Sequence, residues 1–292
     1  MKALVIGAEG FLGKELVRDF SGQFQVEATY KYNERPGWSY LDLADPKQVR
    51  EAIDRSRPGL VLLPAAISAV DYIETHHDEA WLINVEGVKE TALACKKQGA
   101  FLVFYSTDYV FDGLNGPYDE EARTNPLNFY GKTKLEAENV ISKEMRDFLI
   151  IRTCSIYGYE KDGKNFAMQV WERLKGQKEV RVPDDQYGTP AYVEDLSAAT
   201  LALVNGKKTG VFNAVGPDYV NRVEFARAVS EVFKFSNPSI SGVSSGQLRQ
   251  PAPRPKKCGL KIDKLIAHTG VRMASLKEGL IKMKEKINKE NT

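Results

Sequence analysis

Through its first half the chain alternates short, wholly apolar runs with stretches whose apolar residues recur every three or four positions. Ala3-Leu4-Val5-Ile6 is continuous and short, the pattern of a strand buried on both faces. Leu12, Leu16, Val17 and Phe20 then fall on one face of a helix. The same reading predicts strands over 24–30, 59–66, 101–106 and 148–152, and helices over 79–98 and 128–142. Asp45 followed by Pro46 is an N-cap with proline at the first helical position, so a further helix starts there. Strand–helix alternation of this kind predicts an α/β fold, a doubly wound parallel sheet with its ligand beyond the carboxyl ends of the strands. After residue 157 the pattern loosens. Helices are predicted over 165–174, 194–204, 221–233 and 276–287, a short strand over 210–216, and turn-rich loops over 183–190 and 250–257. The last helix carries a lysine-rich face that reads as solvated.

Composition narrows the function by exclusion. The formal net charge of +2 over 292 residues gives no reason to expect a nucleic-acid partner. No apolar run approaches the ~20 residues of a membrane span. The apolar run at the N-terminus stops at Gly7, too early for a secretory signal. Cys95, Cys154 and Cys258 lie far apart, with neither metal-ligand nor disulfide-framework spacing, and read as buried thiols of a cytoplasmic protein. His76 and His77 read as the solvated start of a helix, and no metal site is expected.

The chemistry begins at Gly7-Ala8-Glu9-Gly10-Phe11-Leu12-Gly13, which leaves the first strand and opens the first helix. In that context Gly7 makes the tight turn, Gly10 lets the backbone approach a pyrophosphate, and Gly13 lets helix and strand pack closely. The helix N-terminus offers its free N–H groups to the phosphates. The ligand class is a dinucleotide. An NAD site usually carries an acid about twenty residues further on, at the end of the second strand. Here that strand ends at Lys31, a cation that suits a 2′-phosphate. The cofactor expected is therefore NADP(H), with NAD(H) as the alternative. Asp42 lies at a strand end where it can accept from the adenine amino group. Ala65 and Ala66 are small enough to let a cofactor lie against the backbone.

Tyr130 and Lys134 are four residues apart at the start of a helix and so share a face. A free phenol, with a pKa of about 10, is a poor proton relay at neutral pH. A cation one turn away is expected to lower that value. Thr107, delivered by a strand end, can hydrogen-bond the phenol or a substrate oxygen. Together the three form a device for reducing a carbonyl or oxidising an alcohol. The expected organisation is a dinucleotide-binding half (1–156 and 189–216) and a smaller interleaved α/β substrate lobe (157–188 and 217–292). Substrate would bind in the cleft between them.

These motifs make the chain resemble the extended short-chain dehydrogenase/reductases, which build their cofactor half as a Rossmann sheet. Its finer runs, Ser106-Thr107-Asp108-Tyr109-Val110-Phe111-Asp112-Gly113, the segment from Pro126 to Lys134, Asp185 to Pro190, and Arg254-Pro255, are similar to the dTDP-4-dehydrorhamnose reductase family of dTDP-rhamnose synthesis. The resemblance implies an oxidoreductase acting on a nucleotide-linked 4-keto-deoxysugar, as a homodimer. It implies Tyr130 as proton donor, Lys134 on the nicotinamide ribose and Thr107 on the keto oxygen. Gly10, Phe11, Leu12, Asp42, Leu43, Ala65, Ala66 and Tyr105 would line the cofactor, and Thr107, Asp108, Ser155 and Arg254 would face the sugar nucleotide. One departure stands out. The family usually has a tryptophan where this chain has Ser155, so a stacking surface for the sugar is missing. Related dehydratases carry an acid where Tyr109 stands, which disfavours dehydration. Two alternatives stay open: a nucleotide-sugar epimerase, and a non-catalytic regulatory subunit similar to the methionine adenosyltransferase beta subunit.

Overall fold

The computed structural model describes residues 1–161 and 163–290; Asp162, Asn291 and Thr292 of the expected substrate lobe lie outside the described residues. In chain order the first half runs β1 (Lys2–Val5), α1 (Phe11–Phe20), β2 (Gln25–Tyr30), β3 (Ser39–Tyr40), α2 (Pro46–Ser56), β4 (Leu60–Leu63), α3 (Val70–Ile73) and α4 (His77–Trp81). A π-turn over Leu82–Glu86 leads into α5 (Gly87–Gln98), followed by β5 (Phe101–Thr107), α6 (Phe129–Glu144) and β6 (Phe148–Thr153). The second half adds α7 (Phe166–Lys175), β7 (Val180–Pro183), β8 (Tyr187–Gly188), α8 (Val193–Asn205), β9 (Gly210–Asn213), β10 (Val220–Asn221), α9 (Arg222–Phe233), β11 (Ile240–Val243), α10 (Asp263–Thr269) and α11 (Leu276–Glu290).

The central sheet has the order β3-β2-β1-β4-β5-β6-β9, and every pairing in it is parallel. This is the doubly wound sheet that the strand–helix alternation predicts. Its apolar runs show no alternation because both faces are covered. Leu60, Leu62, Val103 and Tyr105 enter one core with Leu16 and Phe20 of α1 and Leu196 of α8. Val61, Leu63, Leu102 and Phe104 enter the other with Val49 of α2, Val88 of α5 and Ile141 of α6. Each such leucine contributes about 1.5–3 kcal/mol by leaving water. Winding reverses between β1 and β4, which opens a crevice at their carboxyl ends. Asp45 caps α2 through the N–H groups of Lys47 and Gln48, with Pro46 next to it, as the sequence indicates.

Three features differ from the sequence expectation. The single helix over 79–98 is broken by the π-turn, which carries the buried Asn84. Asn84 accepts from the Ile67 N–H and donates to the Ile67 carbonyl, both at 2.9 Å, tying down the loop after β4. A one-residue widening of a helix turn is a common way to aim such a side chain. Second, the loop over 183–190 contains β8, which pairs antiparallel with β10, and β7 pairs parallel with β11. Third, the lysine face of α11 is docked. Lys282 pairs with Asp195 and Lys286 with Glu194 on α8, and Lys277 with Glu231 on α9. A third core, around Tyr157, Met168, Tyr192, Phe225 and Met283, joins α7, α9 and α11. Among the described residues no helix is long and apolar enough to cross a membrane.

Candidate active site

The glycine turn has the shape its spacing calls for. Gly7 adopts φ +89°, and a Cβ there would lie 2.6 Å from the Cβ of Ala65 in the loop after β4. A Cβ on Gly13 would lie 2.3 Å from the Gly7 carbonyl oxygen. Neither position admits a side chain, so turn, helix and β4 loop are in contact. Gly10 is exposed, and a Cβ built on it would have open space before it, with the Gly7 carbonyl oxygen at 3.4 Å. No side chain among the described residues caps α1, which leaves the first-turn N–H groups from Phe11 to Gly13 for an anion. Bare backbone in front of an uncapped helix fits a pyrophosphate. The Leu12 side chain points into the core beneath, so its contribution there is its backbone.

Around the crevice the remaining cofactor candidates take different roles. Ala65 and Ala66 are half-buried just past β4. Lys31 and Asp42 form an ion pair at 2.9 Å, and Asp42 also accepts from the Ala44 N–H. Leu43 is a core residue. Tyr105 is buried on the α8 face of the sheet and donates to the Thr200 hydroxyl at 3.2 Å, so it presents backbone, not its ring, to the crevice. The sequence reading passed over Glu9. Its carboxylate lies across the end of β2 and accepts the backbone N–H groups of Lys31, Tyr32 and Asn33 at 2.7, 3.0 and 2.8 Å. Its place inside the glycine motif gave no signal, since that position normally reads as filler.

Helix α6 carries the proton-transfer candidates. Asn128, fully buried, caps it by accepting from the Gly131 N–H at 2.8 Å, and donates to the Pro253 carbonyl at 2.9 Å. Glu74 accepts the Phe129 N–H. The helix start is thus fixed from two sides, and Tyr130 with it. Tyr130, Lys134 and Glu138 follow at intervals of four along one face. Glu138 makes a bidentate buried pair with Arg152 of β6, at 3.0 and 2.7 Å. That pair fastens the helix face to the sheet next to Thr107, whose register partner on β6 is Thr153.

The electrostatics correct one expectation. The Tyr130 phenol lies above its ordinary pKa, because burial and then the nearby Asp108 charge outweigh the Thr107 hydroxyl, which is close enough to pull it down. Lys134, only 3 % exposed, is itself pulled down to about 7 by burial, against the charge of Glu138. Its ammonium lies 4.0 Å over the ring of Phe104. The phenol is therefore held protonated, the form that donates, and the lysine is poised between charged and neutral.

Beyond Thr107 lies the substrate side. Thr107 accepts the Tyr109 N–H at 3.2 Å and donates to the Asp108 carboxylate at 3.3 Å. Asp108 is buried, and burial raises its pKa against the thiols of Cys154 and Cys258, the Gly259 N–H and the Thr107 hydroxyl. A narrow cavity beside it is lined by Asp108, Tyr109, Ser155, Gln186, Tyr187 and Arg222. Ser155 reaches this wall from a backbone φ of +43°. Arg254 does not line it; its guanidinium is held by Asp71 at 2.5 Å and by the Ala252 carbonyl at 2.7 Å, and so clamps the proline-rich loop to α3. Gln186 and Arg222 were not singled out from sequence, and neither was Asn84, which also bonds Thr133 of α6. Gln186 lies within the Asp185–Pro190 run, but its individual role, like those of Arg222 and Asn84, is recognisable only from what it touches.

The profile of the family described as the RmlD substrate binding domain matches residues 1–289. The chain is 33% identical to the spore coat polysaccharide biosynthesis protein SpsK of Bacillus subtilis, over 96% of this chain and 95% of that one. It is 28% identical to the methionine adenosyltransferase 2 subunit beta of Xenopus tropicalis, over 90% of this chain and 81% of that one. Among solved structures, a dTDP-4-dehydrorhamnose reductase from Bacillus anthracis in complex with NADP superimposes with a TM-score of 0.90. The two are 28% identical, over 98% of this chain and 99% of that one.

Proposed function

Because the chain belongs to the RmlD substrate binding domain family, we propose that it is a reductase of a nucleotide-linked 4-keto-deoxysugar, of the dTDP-4-dehydrorhamnose reductase kind. The observation that carries this reading is the fastening of α6, which holds a protonated phenol beside Thr107 at the carboxyl edge of the sheet, one strand from the glycine crevice. NADP(H), when bound in that crevice, supplies the hydride. The turn from Gly7 to Gly13 holds its pyrophosphate, with Ala65 and Ala66 alongside. Lys134 donates to the nicotinamide ribose hydroxyls, which favour its charged form.

Tyr130 gives its proton to the oxygen of the substrate carbonyl as charge develops there. Thr107 orients that oxygen. Asp108, Ser155 and Arg222 shape the wall that receives the sugar nucleotide, and Arg254 acts by holding the loop over it. We assign the residues over 1–156 and 189–216 to the cofactor half and those over 157–188 and 217–292 to the substrate half, with Leu265 and Met273 reaching back into the core beneath α1 and α8. The likeness to the methionine adenosyltransferase subunit keeps a regulatory role as the second reading. Oxidation of NADPH measured against a panel of 4-keto sugar nucleotides separates the two. Turnover on at least one is expected. Tight NADPH binding without turnover on any of them would transfer the case to the regulatory role.

A further inference from the structure

Dinucleotide sites discriminate at the end of the second strand, where an acid accepts from the adenosine 2′-hydroxyl or a cation receives a 2′-phosphate. Lys31 directly follows the last residue of β2, and by itself it marks a phosphate site. The structure alters both halves of that assignment. The Lys31 ammonium is drawn away to Asp42. The carboxylate that β2 lacks arrives from the glycine turn instead. Glu9 Oε1 accepts the N–H groups of Lys31 and Tyr32, and Oε2 accepts the N–H and the side-chain amide of Asn33, at 2.8 and 3.2 Å. Consecutive N–H groups converging on one anion form the kind of nest that holds phosphates elsewhere. Here the chain fills the nest with its own carboxylate. Partial burial works to raise the pKa of Glu9, but these donors prevail and hold it below the ordinary range, so it is charged at neutral pH.

Given that the glycine turn holds a dinucleotide, as proposed above, we propose that Glu9 is a specificity-determining residue. It competes with an adenosine 2′-phosphate for the backbone N–H groups of Lys31, Tyr32 and Asn33, and so holds down the preference for NADP(H) over NAD(H). NAD(H) leaves the carboxylate in place and donates to it from the ribose. NADP(H) brings a second anion to the same donors and has to displace the first.

The test is titration of the full chain with NADPH and with NADH, followed by nicotinamide fluorescence, for the wild type, Glu9→Gln and Glu9→Ala. Glu9→Gln keeps the shape and loses the charge; Glu9→Ala empties the nest. Both should raise the affinity for NADPH relative to NADH, Glu9→Ala by about tenfold, the scale of one like-charge contact at a partly solvated site. An unchanged ratio in both variants would overturn the proposal. So would an equal loss for both cofactors, which would mean that Glu9 merely ties down the loop. If the wild type bound neither cofactor, the reading of the turn itself would fall, a result visible without any variant.

Discussion

Replacing Lys134 by methionine should change how the stability of the protein depends on pH. The lysine falls from its ordinary value of 10.5 to about 7 on folding, because burial strips the ammonium of water. Below pH 7 both folded and unfolded chains are charged at this position, and folding carries the full cost of burying the cation. Above 10.5 both are neutral and that cost is gone. Between the two values the unfolded chain binds a proton that the folded chain has released, so stability rises with pH. At 1.36 kcal/mol per unit, the rise amounts to about 2 kcal/mol from pH 7 to pH 9, and to only about 0.4 kcal/mol from pH 5 to pH 7. Methionine fills a similar space without a charge and lacks this dependence. Urea unfolding of both proteins at pH 5, 7 and 9, without nucleotide, gives the difference in stability directly. The advantage of Lys134→Met should shrink by only about 0.4 kcal/mol from pH 5 to 7, then by about 2 kcal/mol more by pH 9. Parallel profiles would mean that Lys134 keeps an ordinary pKa and that its burial is relieved by solvent.

Tyr130→Phe should lower kcat by about 10²–10⁴-fold while leaving the NADPH dissociation constant unchanged, because only the donated proton is removed; NADPH oxidation and fluorescence titration read the two. Ser155→Trp should reorder kcat/KM among 4-keto sugar nucleotides more than it alters cofactor affinity, since Ser155 is on the wall of a cavity whose lining includes no residue of the glycine turn. Glu138→Gln should cost about 3–5 kcal/mol, by leaving the buried Arg152 charge uncompensated. The denaturant midpoint measures that loss, and the paired change Glu138→Leu with Arg152→Met should recover most of it.

The sheet was legible because a parallel sheet covered on both faces writes itself as unbroken apolar runs, and β1, β4, β5 and β6 are such runs. The glycine turn was legible because its steric demands fall on three fixed positions. The small sheets of the second half were not. β8 and β10 are two residues each, too short to display any period, and their pairing is set by a loop closure of more than thirty residues. The docking of α11 was also hidden. A lysine face looks the same in sequence whether it meets water or the carboxylates of Asp195 and Glu194. Glu9 failed to register for a similar reason: its partners lie twenty-two to twenty-four residues away, on a strand end whose own residue suggested the opposite charge.

The proton-transfer face shows where spacing stops being informative. Intervals of four identify Tyr130 and Lys134 as neighbours, and from that proximity a lowered phenol pKa follows. Spacing is silent on burial, and at this site burial is the larger influence on both groups: it raises the tyrosine and lowers the lysine. Glu138, the next residue on the same face, then acts in two ways. Its bidentate bond to Arg152 fixes the rotation of α6, and hence the direction in which the phenol points. Its charge is also the one that limits the fall of Lys134, keeping a fraction of the lysine cationic near neutral pH. Neutralising Glu138 should therefore loosen the helix and discharge the lysine together. An anchor that also supplies charge explains why this chain places an ion pair in its core, where an apolar pair of similar volume would hold the helix about as well.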